Sequence, residues 1–202
     1  MKLIFVGPQG SGKGTQAKRI ARKFGLCHIS TGDLLREVDG ELKTEVDKIM
    51  SRGDLVSDEL IVRILKEKLE SDECKSGFIL DGFPRNVAQV EELAKITEID
   101  RVVEIAISDE ESVRRISGRR GCGKCGAIYN IATAPKPKVE GVCDDCGGEL
   151  IQRKDDNEEA LRERLKVYHE DTESILERYT SVRVDGEQSI EKVFEGVVEV
   201  LD

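Results

Sequence analysis

Gly7-Pro8-Gln9-Gly10-Ser11-Gly12-Lys13-Gly14-Thr15 has the spacing of a phosphate-binding loop. Its glycines let the backbone turn so that successive N–H groups point inward at an anion. A helix that starts at the loop adds its positive N-terminal end, and Lys13 adds a full charge. The context agrees: apolar Lys2–Val6 precedes the loop as a strand, and Ala17, Ile20, Ala21 and Phe24 follow at helical spacing. One departure stands out. The general pattern has Ser or Thr directly after the lysine to hold Mg²⁺, whereas here Gly14 intervenes before Thr15. The metal must then depend on water, phosphates and another acid.

Outward from this loop, strands and helices alternate. Cys27–Ser30 reads as a second strand and 31–70 as polar and helical, broken at Asp39-Gly40 and Arg52-Gly53. Phe78-Ile79-Leu80 reads as a third strand ending in Asp81-Gly82, Asn86–Ile96 as a helix, Val102–Ile107 as a fourth strand, and Asp109–Ser117 as a helix. One long helix over Asn157–Tyr179, a fifth strand at Val182–Val184 and a helix over Ser189–Leu201 complete the pattern. Alternation of this kind predicts an α/β, three-layer P-loop fold with a five-stranded parallel sheet. Ligands belong beyond the carboxyl ends of its strands. The stretch 121–149 interrupts the alternation; rich in glycine and cysteine but poor in large apolar residues, it reads as an insertion that needs a staple.

The chain has 202 residues, 38% hydrophobic and 36% charged, with a net charge of −9. That length allows one substantial core with small insertions. The charge argues against a nucleic-acid binder held by overall charge, though local arginines can still serve a small polyanion. No apolar run approaches the ~18 residues of a membrane span, and the start is too short in apolar length for a signal peptide. No membrane partner and a cytoplasmic location are expected.

Four of the six cysteines form two Cys-x-x-Cys pairs, Cys122/Cys125 and Cys143/Cys146, separated by 17 residues. This is zinc-ribbon spacing, in which four thiolates form a closed tetrahedron and the metal is structural. Two disulfides are the alternative, and iron can replace zinc. Cys27 and Cys74 read as packed thiols.

Several motifs now stand in order: Gly7–Thr15, Ser30-Thr31-Gly32-Asp33-Leu34-Leu35-Arg36, Leu80-Asp81-Gly82-Phe83-Pro84-Arg85, Gly118-Arg119-Arg120 and Arg153-Lys154-Asp155-Asp156. Together they closely resemble the adenylate kinases over essentially the whole chain. The resemblance implies phosphoryl transfer from MgATP to AMP and three parts. Residues 1–29, 57–118 and 157–202 would form the core, 30–56 a small helical AMP-binding insertion, and 119–156 a zinc-binding lid. In this family small-Pro usually follows the first glycine, where this chain has Pro8-Gln9, and the AMP part looks short near 38–41.

The resemblance assigns ATP to Gly10, Ser11, Gly12, Lys13, Gly14, Thr15, Arg115, Arg119, Ile128, Tyr129 and Gln188. It assigns AMP to Thr31, Arg36, Asp54, Leu55, Val56, Gly82, Phe83, Pro84, Arg85, Gln89, Arg153 and Arg164. Lys13, Asp81, Arg85, Arg119, Arg153 and Arg164 would carry catalysis. The transferring group spreads charge over its equatorial oxygens, and arginine forks match them. Asp81 would hold Mg²⁺ through water or else cap the following turn. Arg115 would stack on adenine or remain a solvated surface group. Asp155 and Asp156 would pair with lid arginines or cap the helix beginning near Asn157; Asp155 is expected near the site, and Asp156 at a hinge or cap. His28 is expected to pack beside the second strand and His169 to face solvent.

Gln89 and Thr31 favour AMP as acceptor, because an amide can donate and accept toward the adenine edge. Asn86 is common in UMP/CMP kinases, which are the alternative. A nucleotide-sensing binding protein is the alternative from another class; the full arginine set argues against it. A monomer is expected.

Overall fold

A computed structural model describes residues 1–37, 46, 49, 56–153 and 156–202, apart from the side chains of Arg36, Glu37 and Glu158. The expected breaks at Asp39-Gly40 and Arg52-Gly53, the short stretch near 38–41, and the sites Asp54, Leu55 and Asp155 lie outside the described residues.

The apolar runs become strands β1 (Lys2–Val6), β2 (Cys27–Ser30), β3 (Phe78–Asp81) and β4 (Arg101–Ala106). With Ser181–Asp185, the last strand of the chain, they form a five-stranded sheet whose described pairings are all parallel. β1 lies at its centre, between β3 and β4. Leu3-Ile4-Phe5-Val6 is continuously apolar because both faces of a central parallel strand are covered.

Period-two alternation divides the core. Ile4, Val6, Leu80 and Val102 pack on one face against Ile61 and Leu65 of one helix and Leu93 of another. Leu3, Phe5, Ile79, Val103 and Ile105 pack on the other, against Ala17 and Ile20 near the start of the chain and Val193 and Val197 near its end. The helices responsible are α1 (Lys13–Phe24), α2 (Thr31–Glu37), α3 (Asp58–Leu69), α4 (Val87–Ile96), α5 (Asp109–Gly118), α6 (Glu158–Val167) and α7 (Ile190–Leu201). The result is the expected three-layer α/β arrangement. Asn86, Ser108, Asn157 and Ser189 cap α4, α5, α6 and α7 with their side chains.

Between α5 and α6 the chain forms a second, antiparallel sheet from β5 (Arg119–Cys122), β6 (Ile128–Asn130) and β7 (Leu150–Ile151), with β5 in the middle. The strand Ser181–Asp185 is therefore β8. The small sheet has little apolar interior: Cys122, Tyr129, Cys143 and Leu150 make up its buried cluster.

Two expectations are corrected. The long helix over 157–179 is α6, then a π turn at Tyr168–Thr172, then a 3-10 segment at Glu173–Arg178. The apolar spacing runs on through these segments, so the pattern alone does not register the change in hydrogen bonding. Tertiary anchors mark it: Tyr168 Oη lies 3.4 Å from Glu104 Oε1, and Thr172 Oγ1 3.0 Å from the Arg85 carbonyl. Cys27 and Cys74 are not packed thiols but a disulfide, with Cα atoms 5.0 Å apart. β2 pairs with β3 in the register Cys27↔Phe78, and the 3-10 turn Asp72–Cys74 leads into β3, so chain pairing brings the two together.

Candidate active site and metal centre

The loop after β1 opens at the carboxyl edge of the large sheet, facing a cavity of about 1010 Å³. Gly7 must be glycine: φ is +154°, and a Cβ there would lie 2.4 Å from the Ile105 carbonyl oxygen. Ser11 N–H bonds the Pro8 carbonyl, and Ser112 Oγ donates to the Gln9 carbonyl at 2.5 Å, pinning the loop to α5. Gly10, Ser11, Gly12, Lys13, Gly14 and Thr15 all line the cavity.

Lys13 sits half-buried at the floor, its Nζ 3.3 Å from the Pro8 carbonyl. Burial drives its amine down to about 8; Asp81 works against this, and Arg85, Arg119 and Arg164 add to it. Those cations therefore converge on one spot, the electrostatic signature of a site built for a multiply charged anion. Burial pushes the Asp81 carboxyl up. The His28 ring beside it and the Lys13 and Arg85 charges outweigh it, and the group lies below its ordinary range.

The same carboxylate explains Gly14. A Cβ at position 14 would stand 2.9 Å from Asp81 Oδ2. Asp81 thus fills the room that a Ser or Thr side chain takes in the general loop pattern. His28 Nε2 is 3.5 Å from Asp81 Oδ2. Sequence reasoning gave His28 only a packing role; the available signal was its place on β2, directly beside the strand that ends in Asp81.

Arg85 is held from several sides. Its N–H donates to Gln89 Oε1 at 2.7 Å, and its Nε to the Gly82 carbonyl at 2.7 Å. Thr31 Oγ1 donates to the same Gly82 carbonyl at 3.0 Å. Gly82 has φ +85°, and a Cβ there would meet both the Arg85 guanidinium and Thr31 Oγ1 at 3.1 Å. Thr31, Val56, Gly82, Arg85, Arg153 and Arg164 line the cavity. Gln89 does not: it is fully buried, with its amide Nε2 2.6 Å from Asp58 Oδ1. Phe83 is buried in the core, and Pro84 lines a separate small cavity beneath the loop. Arg36 lies on α2, its side chain outside the described residues.

Across the cavity, Arg119 makes a two-pronged ion pair with Asp156, whose side chain is fully buried. Asp156 is not the helix cap; Asn157 is, accepting from Ala160 N–H. Arg153 lies 3.9 Å from Asp33 of α2. Arg115 bonds Glu111, the Gly10 carbonyl and the Gly186 carbonyl, bridging α5, the loop and the segment before α7. Ile128 and Gln188 line the cavity. Tyr129 lines it too, but its hydroxyl accepts from Asp144 N–H at 3.0 Å and lies 3.7 Å from Cys143 Sγ, on the cysteine side of the sheet. His169 is exposed, as expected, and lies 3.0 Å from Asp109 and 3.3 Å from Glu173.

Cys122, Cys125, Cys143 and Cys146 bring four sulfurs within 4.8 Å of one another. Cys122–Cys146 and Cys125–Cys143 are 3.4 and 3.6 Å apart. A tetrahedron with Zn–S near 2.3 Å has edges of about 3.8 Å, so the four sulfurs can hold a metal ion of that kind. The disulfide alternative for these four is not what forms.

Central parallel sheet, glycine-rich loop and a cavity ringed by guanidinium groups define a phosphate-binding-loop protein of the nucleoside monophosphate kinase class. A family model described as adenylate kinase matches residues 5–184. The chain is 46% identical over 214 residues to an adenylate kinase of Archaeoglobus fulgidus, covering 100% of this chain and 98% of that one. It is 45% identical over 213 residues to one from Thermosipho africanus, covering 100% and 99%. A third, from Caldicellulosiruptor saccharolyticus, is 48% identical over 187 residues, covering 89% and 86%. The chain belongs to the adenylate kinase family.

Proposed function

We propose that this chain moves the terminal phosphoryl group of MgATP to AMP, giving two ADP. The observation that carries this reading is the gathering of Arg85, Arg119, Arg153 and Arg164 with Lys13 and Asp81 around one cavity. An AMP phosphate oxygen forms the new bond to the γ-phosphorus as the bond to the β-phosphate oxygen breaks, and ADP leaves. No protein nucleophile is needed; positioned charge does the work. Lys13 and the loop N–H groups hold the β and γ phosphates. Arg85, with Arg36, holds the AMP phosphate, and Arg119, Arg153 and Arg164 neutralise charge on the transferring group. Mg²⁺, when bound with ATP, screens the phosphate charge. Asp81 would hold it through water, with Lys13 and His28 beside it favouring the ionised carboxylate.

Under this reading 1–29, 57–118 and 157–202 form the core, 30–56 the AMP-binding part and 119–156 a lid stapled by zinc. Asp54, Leu55 and Val56 belong to the AMP side. Ile128, Tyr129, Gln188 and Arg115 belong to the ATP side, Tyr129 through its main chain. Gln89 is our candidate for reading the acceptor base, with Asp58 as its partner in the free protein. Asn86, the residue that favoured a UMP/CMP kinase, is occupied in capping α4. A monomer in the cytoplasm, with no nucleic-acid partner, completes the reading; among the described residues no helix is long and apolar enough to cross a membrane. The test is a panel of AMP, UMP, CMP and GMP with MgATP. AMP should give the highest kcat/KM and two ADP per turnover; a higher value for UMP or CMP overturns the reading.

A further inference from the structure

The π turn at Tyr168–Thr172 lies far along the chain from the glycine-rich loop, yet it reaches the site. Glu173 N–H bonds the Tyr168 carbonyl, one residue further back than in an α-helix. Turns of this kind widen the helix and re-aim the side chains that follow. Here Thr172, nearly buried, places Oγ1 3.0 Å from the main-chain carbonyl of Arg85.

Arg85 is thus gripped along its whole length. Its N–H is held by Gln89, its carbonyl by Thr172 and its Nε by Gly82. Gln89 belongs to the helix that follows Arg85, and Gly82 to the same short loop. Of these three, only Thr172 comes from a distant element. That element is the continuation of α6, which carries Arg164. Arg164, Tyr168 and Thr172 are spaced four residues apart, on one helical face. They line, with Lys13 and Arg85, a cavity of about 30 Å³ beneath the loop, too small for a nucleotide. The Thr172 hydroxyl is therefore a link between the two arginines: it fixes the loop bearing Arg85 against the helix bearing Arg164.

We propose that Thr172 is a positioning residue for acceptor binding, acting through Arg85 by holding its carbonyl at a set distance from Arg164. The inference rests on the reading of Arg85 as a holder of the AMP phosphate. Thr172→Val keeps the shape and removes the donor. It leaves a buried carbonyl without its partner, and the Arg85 loop relaxes away from α6. The loss should fall on the acceptor, because the ATP phosphates are held mainly by the loop N–H groups and Lys13.

The test is calorimetric binding of AMP and, separately, of MgATP to wild type, Thr172→Val and Thr172→Ser. Thr172→Val should weaken AMP by about five- to tenfold, the scale of one hydrogen bond. MgATP should stay within about twofold, and Thr172→Ser, which restores the hydroxyl, should bind AMP as wild type does. Should Thr172→Val not fold, Thr172→Ala carries the same expectation. Unchanged AMP affinity, an equal loss for both nucleotides, or failure of serine to restore binding overturns the inference. Wild type that does not bind AMP overturns instead the reading of the site on which the inference rests.

Discussion

Arg119 and Asp156 show how a single residue serves two purposes. On the proposed reading the arginine meets phosphate, and it also neutralises a carboxylate that is otherwise sealed from water. Arg119→Ala should lower kcat by at least ~100-fold, since it removes a charge from where the transferring group develops it. It should also cost about 3 kcal/mol of stability, because a lone buried carboxylate remains. Arg119→Ala with Asp156→Asn should regain most of the melting temperature and none of the rate. Recovery of both would show that Arg119 matters only to the fold. Lys13 gives a pH signature. Its amine falls to about 8 from 10.5, so between these values the unfolded chain holds more protons than the folded one. The burial cost is thus fully present below pH 8 and is relieved as pH rises from 8 to 10.5. Nucleotide phosphates draw the proton back. Binding measured at pH 9 should take up close to one proton, seen as a dependence of the heat on the buffer's ionisation enthalpy, and affinity should fall above pH 8. A binding heat at pH 9 that is the same in every buffer would contradict this.

At the scale of elements, the Cys27–Cys74 bond ties β2 to the turn that enters β3, closing a loop with a sequence separation of 47. Chain entropy assigns such a closure about 4 kcal/mol. Reductant should lower the melting temperature of the wild type, and Cys74→Ser should melt at that lower temperature with or without reductant; a wild type indifferent to reductant would argue against the bond. This pairing was invisible in the sequence, because nothing local to Cys27 or Cys74 points to the other; the register of β2 on β3 does. The strands were legible for the opposite reason. Buried on both faces, β1, β3 and β4 carry unbroken apolar runs, and the glycine-rich loop fixes where β1 stops. The helix after Asn157 was only half legible, since Leu161, Leu165, Tyr168, Thr172 and Ile175 keep helical spacing through the π turn. Of the site, the loop, the arginines and the four cysteines were readable because their chemistry needs those residue types at those spacings. His28 was not, because it matters through one partner brought near by folding; for Asp156 a pairing with a lid arginine was one of two readings, and packing decides for it. Gln89 was read as a base contact, and its sealed position between Arg85 and Asp58 depends on packing of α4 that no motif records.

The molecule as a whole joins two bodies of unequal self-sufficiency. The large sheet has two apolar layers; the small one has a handful of buried residues, of which two are cysteines. Metal binding can contribute on the order of 10 kcal/mol to such a module. Elemental analysis should find one Zn²⁺ per chain. Removing it, or changing Cys143→Ser, should separate melting into an early transition of 119–151 and a later one of the large sheet. Activity should fall with the first transition, because Arg119 and Arg153 flank this segment. Co²⁺ in place of zinc should preserve most of the rate. A single unchanged transition after metal removal would mean that the cysteines do not staple the module.

Gly14 and Asp81 belong to different elements, yet they compete for one small volume. A Cβ at 14 would stand 2.9 Å from the carboxylate at 81, so the carboxylate must shift to admit a side chain there. In the terms of inheritance the two positions behave as a single locus. Gly14→Ser should be better tolerated beside a shortened residue 81 than alone. On the proposed reading of Asp81 as the magnesium-holding group, a side chain gained at 14 should therefore be felt as weaker use of the metal.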